Sequence, residues 1–298
     1  MPELAEVEFY RRRWWEAGAR RVVRAAEVEA RSRVYRNLAR EFAGGAKGLA
    51  KNLAGARLVD SGAEGKQMWF EFRAATPHRD VRGTSAEILR LGIHLGMTGE
   101  LRVEPPDYRA RKHDALILRM ARQALVFNDP RQFGRVRVWR GAALRQAQGK
   151  PPGILSPGIL SREFTVERVR GALARHGRAP IKAVLLNQEY FPGVGNWMAD
   201  EILWRAAVPP KMRAGRLATE AGAKKLRTTI RRVARDALRV IAGAGGKLPA
   251  DLNANIPDSW LFNHRWEDGG LCPKTKTSLR REEIGGRTTC WSPAWQKG

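Results

Sequence analysis

Residues 2, 3 and 6 are of types, and at spacings, that could do covalent chemistry. A small second residue normally permits removal of the initiator methionine, which would expose the secondary amine of Pro2. An α-amino group titrates at about 7.7 to 8.0 in model peptides, so a useful fraction is unprotonated at neutral pH, and a secondary amine attacking a sugar C1′ gives an iminium intermediate. Glu3 and Glu6 lie within one turn, where a carboxylate could protonate a leaving group or an opened ring oxygen. The same residues also read as an ordinary helix start, with proline in the first turn and acids complementing the dipole.

Three further sites carry possible binding chemistry. Gly193-Val194-Gly195-Asn196 leads into Trp197 as a tight turn feeding a helix N-terminus, whose unpaired N–H groups could hold a phosphate with the Asn196 amide as an added donor. An ordinary corner between helices shows the same pattern. His94 and Met97 flank the turn after Ile93, and Arg131 and Phe133 sit in Asp129-Pro130-Arg131-Gln132-Phe133-Gly134. Singly they read as a structural histidine, a core filler, a surface charge and a turn anchor. Together, an exposed Met, Arg and Phe on neighbouring loops of a basic protein are the residue types that wedge into a base stack and fill the gap left by an extruded nucleotide.

The elements that must position these groups follow from periodicity. Apolar residues at 4, 7, 10, 14 and 17 predict a helix over 3–17, stopped by Gly18. Alternation predicts strands over 66–73, 87–94, 113–120, 123–128 and 135–139, a β-rich first domain. Pro151, Pro152 and Pro157 mark a linker. Helices are predicted over 165–176, 180–188 and 197–206, the last capped by Asn196, and over 219–242, ended by Gly243. A loop rich in Gly, Pro and Asn covers 243–258, and the last 40 or so residues are rich in Trp, Lys and Arg. The division is 2–145, a linker at 146–162, a helical domain at 163–245 and a terminal segment at 246–298.

The 298 residues carry 55 Lys and Arg against 30 Asp and Glu, a formal net charge of +25. Such a surplus points to a polyanionic partner, because each cation that neutralises a phosphate releases a condensed counterion. A hydrophobic fraction of 43% excludes wholesale disorder. No stretch is apolar enough to span a membrane and the acidic start is unlike a signal peptide, so an intracellular, cytoplasmic and nucleoid-associated protein is expected, with Cys272 and Cys290 as free thiols.

These pieces together resemble the formamidopyrimidine-DNA glycosylase and endonuclease VIII family of base-excision repair. Met1-Pro2-Glu3-Leu4-Ala5-Glu6-Val7-Glu8 differs from that family's opening by Ala5 in place of a proline, and Ile93 to Leu101, Lys112-His113-Asp114, Asp129 to Gly134, and Ile181-Lys182 through Asn196 to Glu201 match in order. The resemblance implies an α+β fold: an N-terminal helix with a β-sandwich, a helix-two-turn-helix domain and a C-terminal hairpin finger. It implies that Pro2 is the Schiff-base nucleophile, Glu3 the general acid, Glu6 a supporting carboxylate and Lys66 a catalytic-site lysine on the phosphate near the damaged nucleotide. His94, Asn196 and Arg287 would be further phosphate ligands, and Met97, Arg131 and Phe133 the void-filling trio, Arg131 facing the orphaned base. The implied activity is bifunctional, base removal followed by β,δ-elimination at the abasic site, on double-stranded DNA by a monomer without cofactor. Oxidised purines and formamidopyrimidines are the favoured substrates. Oxidised pyrimidines, hydantoins or crosslinks are the alternative within the class, and a non-catalytic damaged-DNA-binding protein is the alternative outside it.

Three departures bear on this. The family's finger binds zinc through four cysteines, but here the ligand positions hold Cys272, Thr275, Ser292 and Trp295, and one thiol cannot make a structural site that needs four nitrogen or sulfur donors. A zincless finger held by Trp266, Trp291 and Trp295 is expected, with Cys290 off the ligand positions. Gln132 stands where a second arginine is frequent. Asp251-Leu252-Asn253-Ala254-Asn255 lacks the Asp-Gly-x-x-Gly pattern that caps an oxidised purine.

Overall fold

A computed structural model describes residues 2–74, 88–141 and 157–297. The chain forms two compact units, Met1–Pro2 with Val7–Gly153, and Glu3–Glu6 with Ile154–Gly298. Elements are α1 (Leu4–Gly18), β1 (Ala25–Val28), α2 (Leu38–Glu41), α3 (Gly45–Leu53), β2 (Arg57–Glu64), β3 (Gln67–Arg73), β4 (Ile88–His94), β5 (Glu100–Glu104), β6 (Asp114–Arg119), β7 (Ala124–Asn128), β8 (Arg135–Gly141), α4 (Val166–Arg175), α5 (Ile181–Leu185), α6 (Asn196–Arg205), α7 (Glu220–Ala242), β9 (Arg280–Ile284) and β10 (Arg287–Trp291). The mix of helices and antiparallel sheets is the α+β class expected.

In the first unit two four-stranded antiparallel sheets run in the orders β2-β3-β4-β8 and β1-β6-β7-β5. β3 behaves as its alternation dictates, with Met68, Phe70 and Phe72 buried and Gln67, Trp69 and Glu71 between them. α1 closes the two sheets together: the Trp14 ring packs 5.1 Å from Phe70 of one, and its indole N–H donates to the Arg102 carbonyl of the other at 3.0 Å. β7 is buried at all five positions, because Tyr108 covers its outer face through Ile117, Ala124 and Val126. The Lys112-His113-Asp114 motif serves this cover. The Asp114 carboxylate accepts from the Tyr108 hydroxyl at 2.7 Å, Asn128 at 2.8 Å, Arg102 at 2.9 Å and the Arg111 N–H at 2.8 Å. Periodicity missed β1, β2 and β5, whose patterns alternate weakly.

In the second unit the caps are local. The Thr165 hydroxyl accepts from the Arg168 N–H to start α4, the Thr219 hydroxyl accepts from the Gly222 N–H to start α7, and Gly243 ends α7 at a φ of 61°. α5 stops at Leu185 rather than Gln188, since the Asn187 and Gln188 side chains bond neighbouring backbone groups and compete with the helix. Most of the linker expected at 146–162 lies outside the described residues. Its end is docked instead of free, for Arg231 donates to the Ile159 and Ser161 carbonyls. β9 and β10 form an antiparallel hairpin turned by Gly285 and Gly286, both with positive φ. Among the described residues no helix is long and apolar enough to cross a membrane.

Candidate active site and nucleic-acid interface

In the second unit, Glu3 is 2% exposed and its carboxylate accepts three backbone N–H groups: Trp197 at 2.9 Å on one oxygen, Gly195 at 2.9 Å and Met198 at 3.1 Å on the other. These are orphan donors at the N-terminus of α6, so Glu3 both caps that helix and meets the positive end of its dipole. The glycine motif follows from this. Gly193 takes a φ of 93°, its carbonyl accepts from the Leu4 N–H, and a Cβ on Gly195 would sit 2.3 Å from the Glu3 carboxyl carbon. The reading of this turn as a phosphate cradle is therefore corrected: a carboxylate of the chain itself occupies the donors. Asn196 is likewise the first helical residue and not the cap.

Glu6 reaches back to the start of α1, accepting the Glu3 N–H at 3.2 Å on one oxygen and the Trp197 indole N–H at 2.7 Å on the other. Burial raises its carboxyl above the ordinary 4.5, against the lowering pull of hydrogen bonds from its own backbone, from Trp197 and from Glu3. Adjacent carboxylates thus differ in character, one held by three donors and one inclined to keep a proton.

Beneath α6 lies a charged network that sequence reasoning matched only as part of a motif. Lys182 is fully buried, bonding the Asn196 carbonyl at 2.7 Å and pairing with Asp200. Arg265 donates to the other Asp200 oxygen at 2.5 Å, and the Cys290 N–H reaches it at 3.2 Å. The network fastens α5, α6 and the hairpin. The Asn196 Nδ2 adds to it by donating to the Thr288 carbonyl at 2.9 Å, beside exposed Arg287, while its Oδ1 is buried without a partner among the described residues. Only the spacing of a lysine before the glycine motif and an aspartate one turn after it hinted at this arrangement.

In the first unit, Lys66 occupies the two-residue turn between β2 and β3 after Gly65, whose φ is 62°. His94 pairs in register with Gln67, so the end of β4 lies beside that turn. The His94 Nδ1 accepts the Gly96 N–H at 3.1 Å, which leaves the Nε2–H as a donor. Burial lowers its pKa to about 4, and the charges of Lys66, Arg135, Arg137 and Arg36 push in the same direction. A neutral donor ringed by cations suits an anion. Arg36, Arg135 and Arg137 were not singled out in the sequence, because they come from two separated segments and only the fold gathers them.

The turn at Met97 and the loop at 129–134 touch. A Cβ on Gly96 would fall 2.5 Å from the Gly134 nitrogen, and buried Asp129 joins the two, accepting from the Gly134 N–H at 2.7 Å and the Thr98 hydroxyl at 3.3 Å. Met97 is half-buried, Arg131 is exposed, and Phe133 is 48% exposed with the Arg131 guanidinium 5.0 Å from its ring centre. Pro2 is half-buried, directly ahead of Glu3 in the chain.

The finger's four family ligand positions do not fit zinc. Trp295 uses its indole N–H on the Trp204 carbonyl at 2.7 Å, and the remaining set is one thiol with two hydroxyls. Burial would raise the Cys272 thiol, but hydrogen bonds from the Ser292 and Thr275 side chains, the Thr275 backbone and the Trp204 indole hold it at about 7. Burial and the Asp200 charge instead push Cys290 up to about 11. Cys272, Cys290, Trp204, Leu261 and Leu279 make the finger's core, with Trp295 packed on it. The expected role of Trp266 is corrected: it is 53% exposed and stacks edge-on to Phe262, outside that core, since the buried space is filled by Trp204.

Comparison with known proteins agrees with this architecture. The chain matches the profile of the formamidopyrimidine-DNA glycosylase N-terminal domain over residues 1–136 and that of the formamidopyrimidine-DNA glycosylase H2TH domain over residues 155–246. It is 32% identical to the formamidopyrimidine-DNA glycosylase of Parasynechococcus marenigrum (strain WH8102), covering 99% of this chain and 100% of that one, and 33% identical to that of Parafrankia sp. (strain EAN1pec), covering 99% and 98%. The fold is similar to that of Lactococcus lactis Fpg in complex with DNA containing N7-benzyl-Fapy-dG, with a TM-score of 0.75 at 24% identity over the whole of both chains. A complex of the Lactococcus lactis Fpg with DNA containing an abasic site superposes with a TM-score of 0.74. With full-length relatives above 30% identity and the two domain profiles in order, the chain belongs to the formamidopyrimidine-DNA glycosylase family of base-excision repair.

Proposed function

We propose that the protein excises oxidised bases from double-stranded DNA and cuts the strand at the resulting abasic site, using one amine for both reactions. The Pro2 nitrogen, freed of Met1, attacks C1′ of the damaged nucleotide. The base leaves with a proton, the C1′–O4′ bond then opens with a second proton going to O4′, and the sugar remains on the amine as an iminium. Loss of a C2′ proton expels the 3′ phosphate, a second elimination expels the 5′ phosphate, and water releases the sugar remnant. Glu3 transfers protons at the sugar, with Glu6 as the supporting acid. Lys66, neutral His94, Asn196 and Arg287 hold phosphates, and Asn196 also fixes the hairpin that carries Arg287. Met97, Arg131 and Phe133 fill the vacated stack. This amine chemistry requires no cofactor, and the protein acts as a monomer.

The observation that supports this reading best is the carboxylate directly after Pro2, buried and fixed by three N–H donors instead of solvated on a helix start. Pure binding has no use for an N-terminal amine placed directly ahead of it. Oxidised purines and formamidopyrimidines are the favoured substrates, supported by the names of the full-length relatives. The unmatched segment Asp251–Asn255 favours oxidised pyrimidines or hydantoins as the second choice.

Incubation with lesion duplexes and an abasic duplex in the presence of borohydride should trap a covalent complex, strongest with an oxidised purine. Pro2→Gly, or protein retaining Met1 by intact mass, should abolish or greatly weaken trapping. No trapping on any duplex would overturn the enzyme reading and leave the non-catalytic binder.

A further inference from the structure

The basic residues of α7 fall into two classes. Arg227 donates to the Phe164 carbonyl, Arg231 to the Ile159 and Ser161 carbonyls, and Arg239 pairs with Asp236 at 2.9 Å. Lys224, Lys225, Arg232 and Arg235 are exposed, and among the described residues no carboxylate lies within ion-pair distance of them. Lys225, Thr228, Arg232 and Arg235 recur at spacings of three and four, so they form one outward stripe opposite the apolar face of Leu226, Ile230, Val233 and Ala237. At about 1.5 Å per residue the stripe runs about 15 Å.

The stripe has relief as well as charge. Thr228, Arg232 and Arg235 line one open cleft with the paired Arg239 and Asp236, and Arg232 also enters a second of about 360 Å³, with Thr229, Asp236, Ser259 and Lys274. Lys274 is held there over the Trp204 and Trp295 rings at 4.6 and 4.1 Å, and the neighbouring charges of Arg205 and Arg232 help to lower its pKa after burial. Cations left unpaired on a helix whose other arginines are all used, with hydroxyls between them, suit a run of phosphates.

We propose that the Lys225–Thr228–Arg232–Arg235 stripe of α7 is a further DNA-contact surface, binding the phosphate backbone of duplex DNA without regard to sequence or damage. A duplex presents a phosphate about every 3.4 Å along each strand, so a run of this length meets several at once. The contact holds the protein on undamaged DNA, where the excision chemistry has nothing to act on. It rests on DNA being the partner, as proposed above, and is independent of the amine.

The test uses the full-length protein, a labelled undamaged duplex and a salt series read by fluorescence anisotropy. The variant Lys225→Ala/Arg232→Ala/Arg235→Ala should lower the slope of log K against log salt by about 2.7, at about 0.9 per lost phosphate contact. Arg232→Lys/Arg235→Lys should keep the wild-type slope. The borohydride-trapped yield on a short abasic duplex at saturating protein should be unchanged in both, because capture there does not depend on affinity, so failure of the stripe and failure of the catalytic reading separate. An unchanged slope in the alanine variant, or an equal loss in the lysine variant, would overturn the proposal.

Discussion

At the scale of single residues, the geometry around Glu3 makes a sharp prediction. Gly195→Ala would place a methyl 2.3 Å from the Glu3 carboxyl carbon, so the variant should lose about 1–3 kcal/mol by urea denaturation. Glu3→Ala leaves three buried N–H donors empty and should cost about 1–3 kcal/mol. The double variant should lose much less than the sum, because removing Glu3 opens the space that the methyl needs. Simple addition would show that the close approach is not what selects glycine. His94 gives a pH signature. Its folded pKa of about 4 lies below the ordinary 6.5, so it contributes stability above 6.5 that is lost as pH falls through about 4. His94→Gln should lose less stability than wild type between pH 6.5 and 4, and parallel curves would refute the assignment. Glu6 works in the other sense. Burial raises its pKa, so its contribution is present below 4.5 and lost as pH rises through the folded value.

At the scale of elements, the finger lacks the four donors with which its family binds zinc, and its packing supplies other ties. Its core is indole and thiol packing, tied by the Trp295–Trp204 bond and by Gln296, which accepts from the Ser292 N–H and donates to the Val208 carbonyl, both at 2.8 Å. Element analysis of the purified protein should find no stoichiometric zinc, and a strong chelator should leave Tm unchanged. Trp295→Phe, which removes both the donor and one ring of packing on the core, should cost about 1–3 kcal/mol. A fall in Tm on chelation would restore the metal. The β2–β3 turn illustrates the opposite economy, for Gly65 takes the left-handed conformation and so leaves Lys66 at the tip of a tight hairpin.

At the scale of the whole molecule, the net charge of +25 is unevenly used. Several arginines are spent on carboxylates or carbonyls inside the fold, as Arg265, Arg205, Arg227 and Arg231 are. Others gather around His94 or along α7. Binding of any duplex should therefore fall steeply with salt, with a slope that reports several phosphates and not one or two. A shallow dependence, measured by the same anisotropy titration on the wild-type protein, would count against an extended interface.

Much of this protein was legible in its sequence because local physics writes locally. The Thr165 and Thr219 caps, the Gly243 stop, the alternation of β3 and the apolar stripe of α7 depend on residues a few positions apart, and each forms as its pattern dictates. The ordered motifs named the family. What the tertiary structure decided is where buried charges find partners. Nothing near Glu3 in the chain says that it caps a helix 192 residues away, that Gly195 is glycine to admit it, or that Asn196 turns to Thr288. Nor does Trp266 look different from Trp204 in sequence, although one is exposed and the other fills the finger. A buried carboxylate must be satisfied by whichever donors packing brings within about 3 Å, and that choice belongs to the fold rather than to its neighbours in the chain.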